Sequence, residues 1–288
     1  VSLKDGRRPE RIAIIHCVGS RGDQHEYCSR VCCMYSLKLA HLVRETINAE
    51  VVEFYRDMRT FGKEYEAFYE RVRHEGVAFV RYDGNIQVTQ HEGRLQVNTI
   101  DVYTGEPQHV LVDMVVLSTG MEPQPDQREV AHTFGISLSR DGFFLERHPK
   151  LAPVETATDG VFLAGACQGP KDIPDSVAQG SAAAAAALSL MDAGSVTLEP
   201  FTAYIDPERC CGCFTCVSQC PYHAVEKVSV NGRIISQVNE VLCKGCGTCV
   251  ASCPSGVATQ RGFTFEQVMA EIEGALHPLR SLQQETAV

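Results

Sequence analysis

Apolar and polar positions change their period several times along the chain. IAIIHCVGS is a short, β-branched apolar run closed by glycine and serine, the pattern of a buried parallel strand. The stretch from Ser29 to Thr46 places Val31, Met34, Tyr35, Leu37, Leu42 and Val43 at spacings of three and four, which predicts a helix. AEVVEFY predicts a second strand, EYEAFYERVRHEG an amphipathic helix and VAFVRYD a third strand. From Gly84 to about Val112, polar and apolar residues alternate around DGN, HEGR and YTGE, as in an antiparallel meander or hairpin. DMVVLSTGMEPQPD returns to an apolar strand ending at S-T-G, and TDGVFLAG predicts another ending at A-G. A loop with two prolines then leads into a long small-residue helix through GSAAAAAALSLM, expected to be buried and tightly packed, with Pro174 at a first helical position. KVSVNGRIISQV sets N-G between two β-prone stretches, a hairpin signal, and GFTFEQVMAEIEGAL predicts a closing helix.

Cysteine spacing adds the chemistry. The stretch from Cys210 to Pro254 contains C-C-G-C-F-T-C-V-S-Q-C-P and C-K-G-C-G-T-C-V-A-S-C-P, each fitting the C-x2-C-x2-C-x3-C-P run with which bacterial-type ferredoxins hold two [4Fe-4S] clusters. In that pattern the fourth cysteine of each run serves the other cluster. Cys210, Cys213, Cys216 and Cys253 would hold one, and Cys243, Cys246, Cys249 and Cys220 the other. Gly212, Gly245 and Gly247 give the backbone freedom to wrap each cube, while Pro221 and Pro254 end the runs. Zinc ribbons and disulfides are the alternatives, but zinc asks neither for a third cysteine at this spacing nor for the C-P ending. Cys211 is left over and is expected to pack.

The strand-helix-strand-helix-strand order implies a parallel α/β sheet of Rossmann type. Its first strand-to-helix turn would normally carry G-x-G-x-x-G and a dinucleotide pyrophosphate. Here it reads C-V-G-S-R-G-D-Q-H-E-Y-C-S-R-V-C-C, so a nicotinamide is not expected at this turn. Cys17, Cys28, Cys32 and Cys33 stand in its place, with His16 and His25 flanking them. From spacing alone the quartet is open to a third [4Fe-4S] cluster, zinc, a redox-active thiol pair or plain buried cysteines. A helix N-terminus offers unpaired N–H groups and a dipole that favour thiolate, so a cluster would cap that end.

Composition narrows the class. A chain of 288 residues with 44% apolar residues has room for about two domains. Its net charge of -10 disfavours nucleic acid and anionic membranes as partners. Fourteen cysteines, without a signal-peptide pattern, point to a reducing cytoplasm and to metal binding. No apolar run approaches the ~20 residues of a membrane span, and no Ser-His-Asp or paired-carboxylate constellation stands out.

V-L-S-T-G-M-E-P and D-G-V-F-L-A-G-A resemble the A-T-G-x-x-P and G-[VI]-[FY]-x-x-G-D segments of two-dinucleotide-domain flavoproteins of the thioredoxin reductase type. C-V-G-S-R, Y-C-S-R-V-C-C-M-Y, A-G-A-C-Q-G-P-K-D-I-P-D-S-V-A-Q and the ferredoxin runs together resemble the A-type subunits of heterodisulfide reductase over nearly the whole chain. The resemblance implies an α/β Rossmann-like, thioredoxin-reductase-type domain, incomplete at its N-terminus, plus an α+β bacterial-type two-[4Fe-4S] ferredoxin domain. The expected divisions are 1–112 for the Rossmann-like part with the cysteine quartet, 113–200 for the C-terminal part of an FAD-binding domain, 201–262 for the ferredoxin domain and 263–288 for a closing helix and tail.

Three [4Fe-4S] clusters and FAD are implied, the third cluster on Cys17, Cys28, Cys32 and Cys33. Lys38 matches the lysine that the family places beside flavin N5, where an ammonium stabilises the anionic reduced ring. Thr119, Gly120, Gly165, Ala166, Lys171, Asp172, Ile173, Pro174 and Asp175 match its flavin-contacting segments, with Ala166 where the family has the aspartate of G-D. Cys167 beside them is expected to pack. Because no N-terminal G-x-G-x-x-G is present, the ADP half of FAD is expected from a second polypeptide, or the chain is the C-terminal portion of a longer one. The implied function is an oxidoreductase subunit that distributes electrons, by flavin-based bifurcation, among FAD, a nearby cluster and the ferredoxin domain. Expected partners are the other subunits of such a complex and a ferredoxin, hydrogenase or formate dehydrogenase electron donor, in an anaerobic cytoplasm. A flavin-free iron-sulfur wire or a non-bifurcating quinone or sulfur-metabolism relative would share these motifs.

Overall fold

The structure, a computed structural model, describes residues 2–195 and 200–285. The chain divides into two compact units. One runs to Pro123 and takes in Gly169–Val177; the other comprises Gln124–Gln168 and the chain from Ala178 onward.

In the first unit, β1 (Arg11–Val18), α1 (Cys32–Ile47), β2 (Glu50–Tyr55), α2 (Tyr65–His74) and β3 (Ala78–Arg81) follow the expected order. β4 (Ile86–His91), β5 (Arg94–Ile100) and β6 (Pro107–Val112) form an antiparallel meander, after which β7 (Met114–Thr119) pairs parallel to β1. The parallel sheet is ordered β3-β2-β1-β7, so it takes a strand from beyond residue 112. Ile12, Ile14 and Val51 pack one face against Leu37, Ala40 and Val72 of the helices, while Ala13, Ile15 and Phe54 pack the other against Val97 and Val112 of the meander. Burial on both faces is why β1 and β2 are nearly continuous apolar runs. The chain leaves β1 towards β2 on one side and returns at β7 on the other. In such sheets ligands lie beyond the carboxyl ends of the strands at that reversal; Cys17 is the penultimate residue of β1 and Thr119 the last of β7.

α1 begins at Cys32 rather than Ser29, because Arg30 takes a left-handed conformation (φ 60) that no helix can continue through.

The second unit opens with α3 (Gln127–Phe134). TDGVFLAG does not form a strand: Glu155 and Phe162 make one isolated pairing, and Gly165–Cys167 is a single 3-10 turn. α4 (Ile173–Ala193) follows, its first residues in the first unit. Asp172 caps it, accepting the Asp175 N–H at 2.8 Å, so Pro174 is its second residue rather than its first. Nor is α4 buried as expected. Only Ala183 of it is buried, and Leu188 and Met191 are 67% and 75% exposed. A run of alanines permits close packing but does not supply the neighbour.

β8 (Ala203–Ile205), α5 (Thr215–Gln219), β9 (Val225–Val230), β10 (Arg233–Val238), α6 (Thr248–Ala251) and β11 (Ala258–Gln260) build the cysteine-rich module. β9 pairs with β10, and β8 with β11, both antiparallel. Asn231 and Gly232 both have positive φ, as a two-residue type I′ turn requires. α7 (Phe265–Glu285) closes the described chain. Residues 196–199 of the expected FAD-domain segment and 286–288 of the expected tail lie outside the described residues.

Candidate functional site

At the reversal point Cys17 is held left-handed (φ 60), and the pairing of β1 with β7 slips between Ile15 and Val18. Left-handed geometry costs an L-residue roughly 1–2 kcal/mol, so the fold holds Cys17 there against its own preference. Cys28 follows on the loop, its sulfur accepting the Arg30 N–H at 3.4 Å. Cys32 and Cys33 are buried in the first turn of α1, whose N-terminus has no side-chain cap. The four thiols are close enough to act on one another. Burial pushes Cys33 up to about 12, with the Cys17, Cys28 and Cys32 sulfurs adding to it. Burial likewise raises Cys17 and Cys32. Thiols held up this way lose their protons when a cation compensates the charge, which is the chemistry of metal ligation. His16 instead pairs with Glu53 at 2.8 Å, and His25 Nδ1 lies 3.1 Å from the Gly19 carbonyl.

A cavity of about 970 Å³ opens along the same helix. Val31, Met34, Tyr35, Lys38 and Leu42 line it at helical spacing, with Arg59, Phe61, Lys63 and Tyr65 from the β2–α2 connection and the start of α2, and Lys171, Asp172, Ile173 and Pro174 from the start of α4. Lys38, Arg59 and Lys63 are exposed, and among the described residues their side chains make no ion pair. Asp175 stands just outside, bonded to Arg30 at 2.7 Å. The walls are therefore largely apolar, their lysines and arginines outnumber the carboxylates of Glu64 and Asp172, and the N-terminus of α4 adds its dipole, a combination suited to a flat ring that carries negative charge.

Thr119 and Gly120 do not line this cavity. The Thr119 carbonyl accepts the Tyr35 hydroxyl of α1 at 2.8 Å, and a Cβ on Gly120 would sit 2.8 Å from Ser29 Oγ on the cysteine-bearing loop. Gly165 and Ala166 belong to the second unit, where the Gly165 N–H bonds Gln179 Oε1 at 2.8 Å. Cys167 is half-buried and contacts the Ala164 carbonyl. Arg59, Phe61 and Lys63 were not singled out from the sequence. Their only signal was the basic and aromatic run RDMRTFGK after the second strand.

In the second unit, Cys220, Cys243, Cys246 and Cys249 line one small pocket with Gly247 and Thr248. Burial, then repulsion from Cys243, Cys220 and Cys246, pushes Cys249 up to about 11. Cys210 and Cys216 are buried in the same core, with Cys253 packed against it and near enough to Cys213 to oppose its ionisation. Backbone N–H groups reach sulfur from Ala203 to Cys243 (3.4 Å) and from Ala224 to Cys220 (3.3 Å). Burial opposes ionisation of Cys253, yet hydrogen bonds from Ser255, Ala258 and Val257 outweigh it and bring the thiol to about 7. Gly212 and Gly245 are left-handed, and a Cβ there would meet the Ile234 and Phe201 carbonyls at 2.8 and 2.7 Å. Cys211 is exposed rather than packed: the turn that buries Cys210 points its neighbour outward. Among the described residues, no three His, Cys, Asp or Glu groups are placed to hold one metal ion.

Residues 30–184 match the family model of pyridine nucleotide-disulphide oxidoreductases, and residues 209–258 that of 4Fe-4S dicluster domains. Fold and cysteine pattern thus define an oxidoreductase-type α/β chain joined to an iron-sulfur module. The chain is 50% identical over 281 residues to the second A-type iron-sulfur subunit of the CoB–CoM heterodisulfide reductase of Methanopyrus kandleri, covering 96% of this chain and 43% of that protein. It is 45% identical to the corresponding subunit of Methanocaldococcus jannaschii (97% and 43% covered). It is 44% identical to the A-type subunit of the H(2)/formate:CoB-CoM heterodisulfide,ferredoxin reductase of Methanococcus maripaludis (97% and 43%). The chain belongs to the family of heterodisulfide reductase A-type subunits, and it spans less than half the length of these relatives. No helix among the described residues is long and apolar enough to cross a membrane.

Proposed function

We propose that this chain is the electron-distributing part of a heterodisulfide-reductase-like complex, holding three [4Fe-4S] clusters and half-enclosing FAD. One observation carries the reading: α1 presents thiols in its first turn and lines the cavity from that turn through its third, from Met34 to Leu42. A cluster on Cys17, Cys28, Cys32 and Cys33 and a ring in the cavity would thus share one rigid element.

FAD exchanges electron pairs, and the clusters carry single electrons. Lys38 holds an ammonium at the cavity wall, where it offsets negative charge on a reduced ring. The first turn of α4, capped by Asp172, adds its dipole from another wall. Phe61 and the Tyr65 ring cover apolar surface and keep water out. Cys210, Cys213, Cys216 and Cys253, and Cys243, Cys246, Cys249 and Cys220, hold the two clusters of the dicluster domain. No G-x-G-x-x-G occurs in the sequence, so the ADP half of FAD is held by polypeptide outside these 288 residues. The relative named for hydrogen or formate, heterodisulfide and ferredoxin supports a hydrogenase or formate dehydrogenase as donor, and a disulfide and ferredoxin as the two acceptors of a bifurcation. Fourteen cysteines fit a reducing cytoplasm.

Iron, acid-labile sulfide and flavin analysis of the chain purified anaerobically with its partner subunits tests this. About twelve irons per chain and bound flavin are expected. About eight irons would remove the N-terminal cluster, zinc would remove the scheme, and iron without flavin would reduce the chain to a wire.

A further inference from the structure

We propose that Arg21 and Tyr35 set the reduction potential of the N-terminal cluster by donating hydrogen bonds to the sulfurs of Cys17 and Cys32, favouring its reduced form. This rests on the proposed third cluster.

Arg21 lies in the loop after β1, its side chain only 18% exposed. One terminal nitrogen, Nη2, donates to Asp57 Oδ2 at 2.6 Å; the other, Nη1, is buried with no hydrogen-bond partner. A buried guanidinium N–H left unpaired costs on the order of 1–3 kcal/mol. The acceptor at hand is the Cys17 sulfur, whose ionised form Arg21 favours by charge and by hydrogen bonding. The local charge is also positive. Asp57 is shared with Arg81 at 3.0 Å, and Arg56, whose charge also favours the ionised Cys17 sulfur, has only Asp83 as ion-pair partner, at 3.9 Å.

Tyr35 serves a second sulfur of the quartet. Its hydroxyl donates to the Thr119 carbonyl at 2.8 Å, and the Cys32 sulfur lies 3.7 Å from that same oxygen. A thiol can give its proton to this carbonyl, but an iron-bound thiolate has none. Oxygen and sulfur would then face each other with lone pairs only, and the rotatable Tyr35 hydroxyl is the donor placed to fill the gap. Tyr35 also lines the cavity, so one residue touches both proposed centres.

An added electron increases negative charge on a cluster and its sulfurs, so donors and cations stabilise the reduced form and raise the potential. In the dicluster module, Cys220 and Cys243 receive backbone N–H groups and Cys213 and Cys253 the hydroxyls of Thr215 and Ser255, but among the described residues no lysine or arginine hydrogen-bonds a sulfur there. The N-terminal centre is thereby tuned apart from the other two.

The test is a redox titration followed by electron paramagnetic resonance, on the whole chain with its partner subunits, for Arg21→Gln, Arg21→Lys and Tyr35→Phe. The midpoint of the N-terminal cluster is expected to fall in Arg21→Gln and Tyr35→Phe and to recover in part in Arg21→Lys, while the other two midpoints stay in place. An unshifted N-terminal midpoint in iron-replete Tyr35→Phe and Arg21→Gln overturns the proposal. Should Arg21→Gln lose its cluster, isosteric Tyr35→Phe decides alone. A wild-type chain with two cluster signals and about eight irons would remove the third cluster itself, a failure visible before any variant is made.

Discussion

Arg30 donates to Asp175 at 2.7 Å, joining the residue that breaks the chain before α1 to the first turn of α4. The same guanidinium stacks on Phe61, 4.9 Å from the ring centroid, so one side chain ties three walls of the cavity together. Both partners are more than a third exposed, which limits the pair to at most about 1 kcal/mol of stability. Asp175→Asn should therefore leave the denaturation midpoint nearly unchanged while lowering the flavin-to-protein ratio of the complex. Full flavin retention would place the ring elsewhere.

His16 and Glu53 form a pair with no solvent exposure, 2.8 Å apart, on the adjacent strands β1 and β2. His16 Nδ1 and Glu53 Oε1 have no partner of their own. Glu53→Ala strands the histidine completely and should cost about 1–3 kcal/mol, with Glu53→Gln costing less because it keeps a polar partner. Urea unfolding of the two variants, compared at equal iron content, measures the difference.

The parallel strands, their helices and the hairpin at Asn231-Gly232 were legible because each follows from local period or turn chemistry. The run TDGVFLAG was not: its four apolar residues permit a strand, but a strand needs a ladder, and only Glu155 and Phe162 pair. The burial of α4 was misjudged for a related reason, since alanine content says nothing about what packs alongside. The cysteine groups were legible from spacing, yet the cavity was not. Arg59, Phe61 and Lys63 reach it only because the connection after β2 folds back along α1.

Cys220 stands in the first ferredoxin run but lines the pocket of Cys243, Cys246 and Cys249 from the second. Cys220→Ala should therefore damage the cluster of the downstream cysteines, and Cys253→Ala that of the upstream ones. Each variant should lose up to about four irons and a different resonance signal. Loss of the same signal from both would contradict the exchange of ligands.

Gly245 takes φ 61, and a Cβ there would stand 2.7 Å from the Phe201 carbonyl. Gly245→Ala meets both the left-handed penalty of roughly 1–2 kcal/mol and a backbone clash that no rotamer relieves. Gly256, also at φ 61 but with open space around its Cβ position, meets only the first. Cluster bleaching in denaturant should come earlier for Gly245→Ala than for Gly256→Ala.

Lys38 shares the cavity-lining face of α1 with Met34, Tyr35 and Leu42, and its ammonium has no carboxylate partner among the described residues. A paired lysine would be screened by its own counter-charge; this one is free to answer charge that develops inside. Between bulk water and a protein surface, a unit charge beside another is worth between about 1 and 4 kcal/mol. For a two-electron couple this corresponds to roughly 20–90 mV. Lys38→Met keeps the length and apolar contacts of the side chain and removes only the charge, so the flavin couple should fall by that amount. Iron content and the N-terminal cluster signal should stay at wild-type levels, because Lys38 is no part of the quartet. Spectroelectrochemical titration of the flavin band reads the shift directly, and an unmoved flavin couple would return Lys38 to an ordinary solvent-facing lysine.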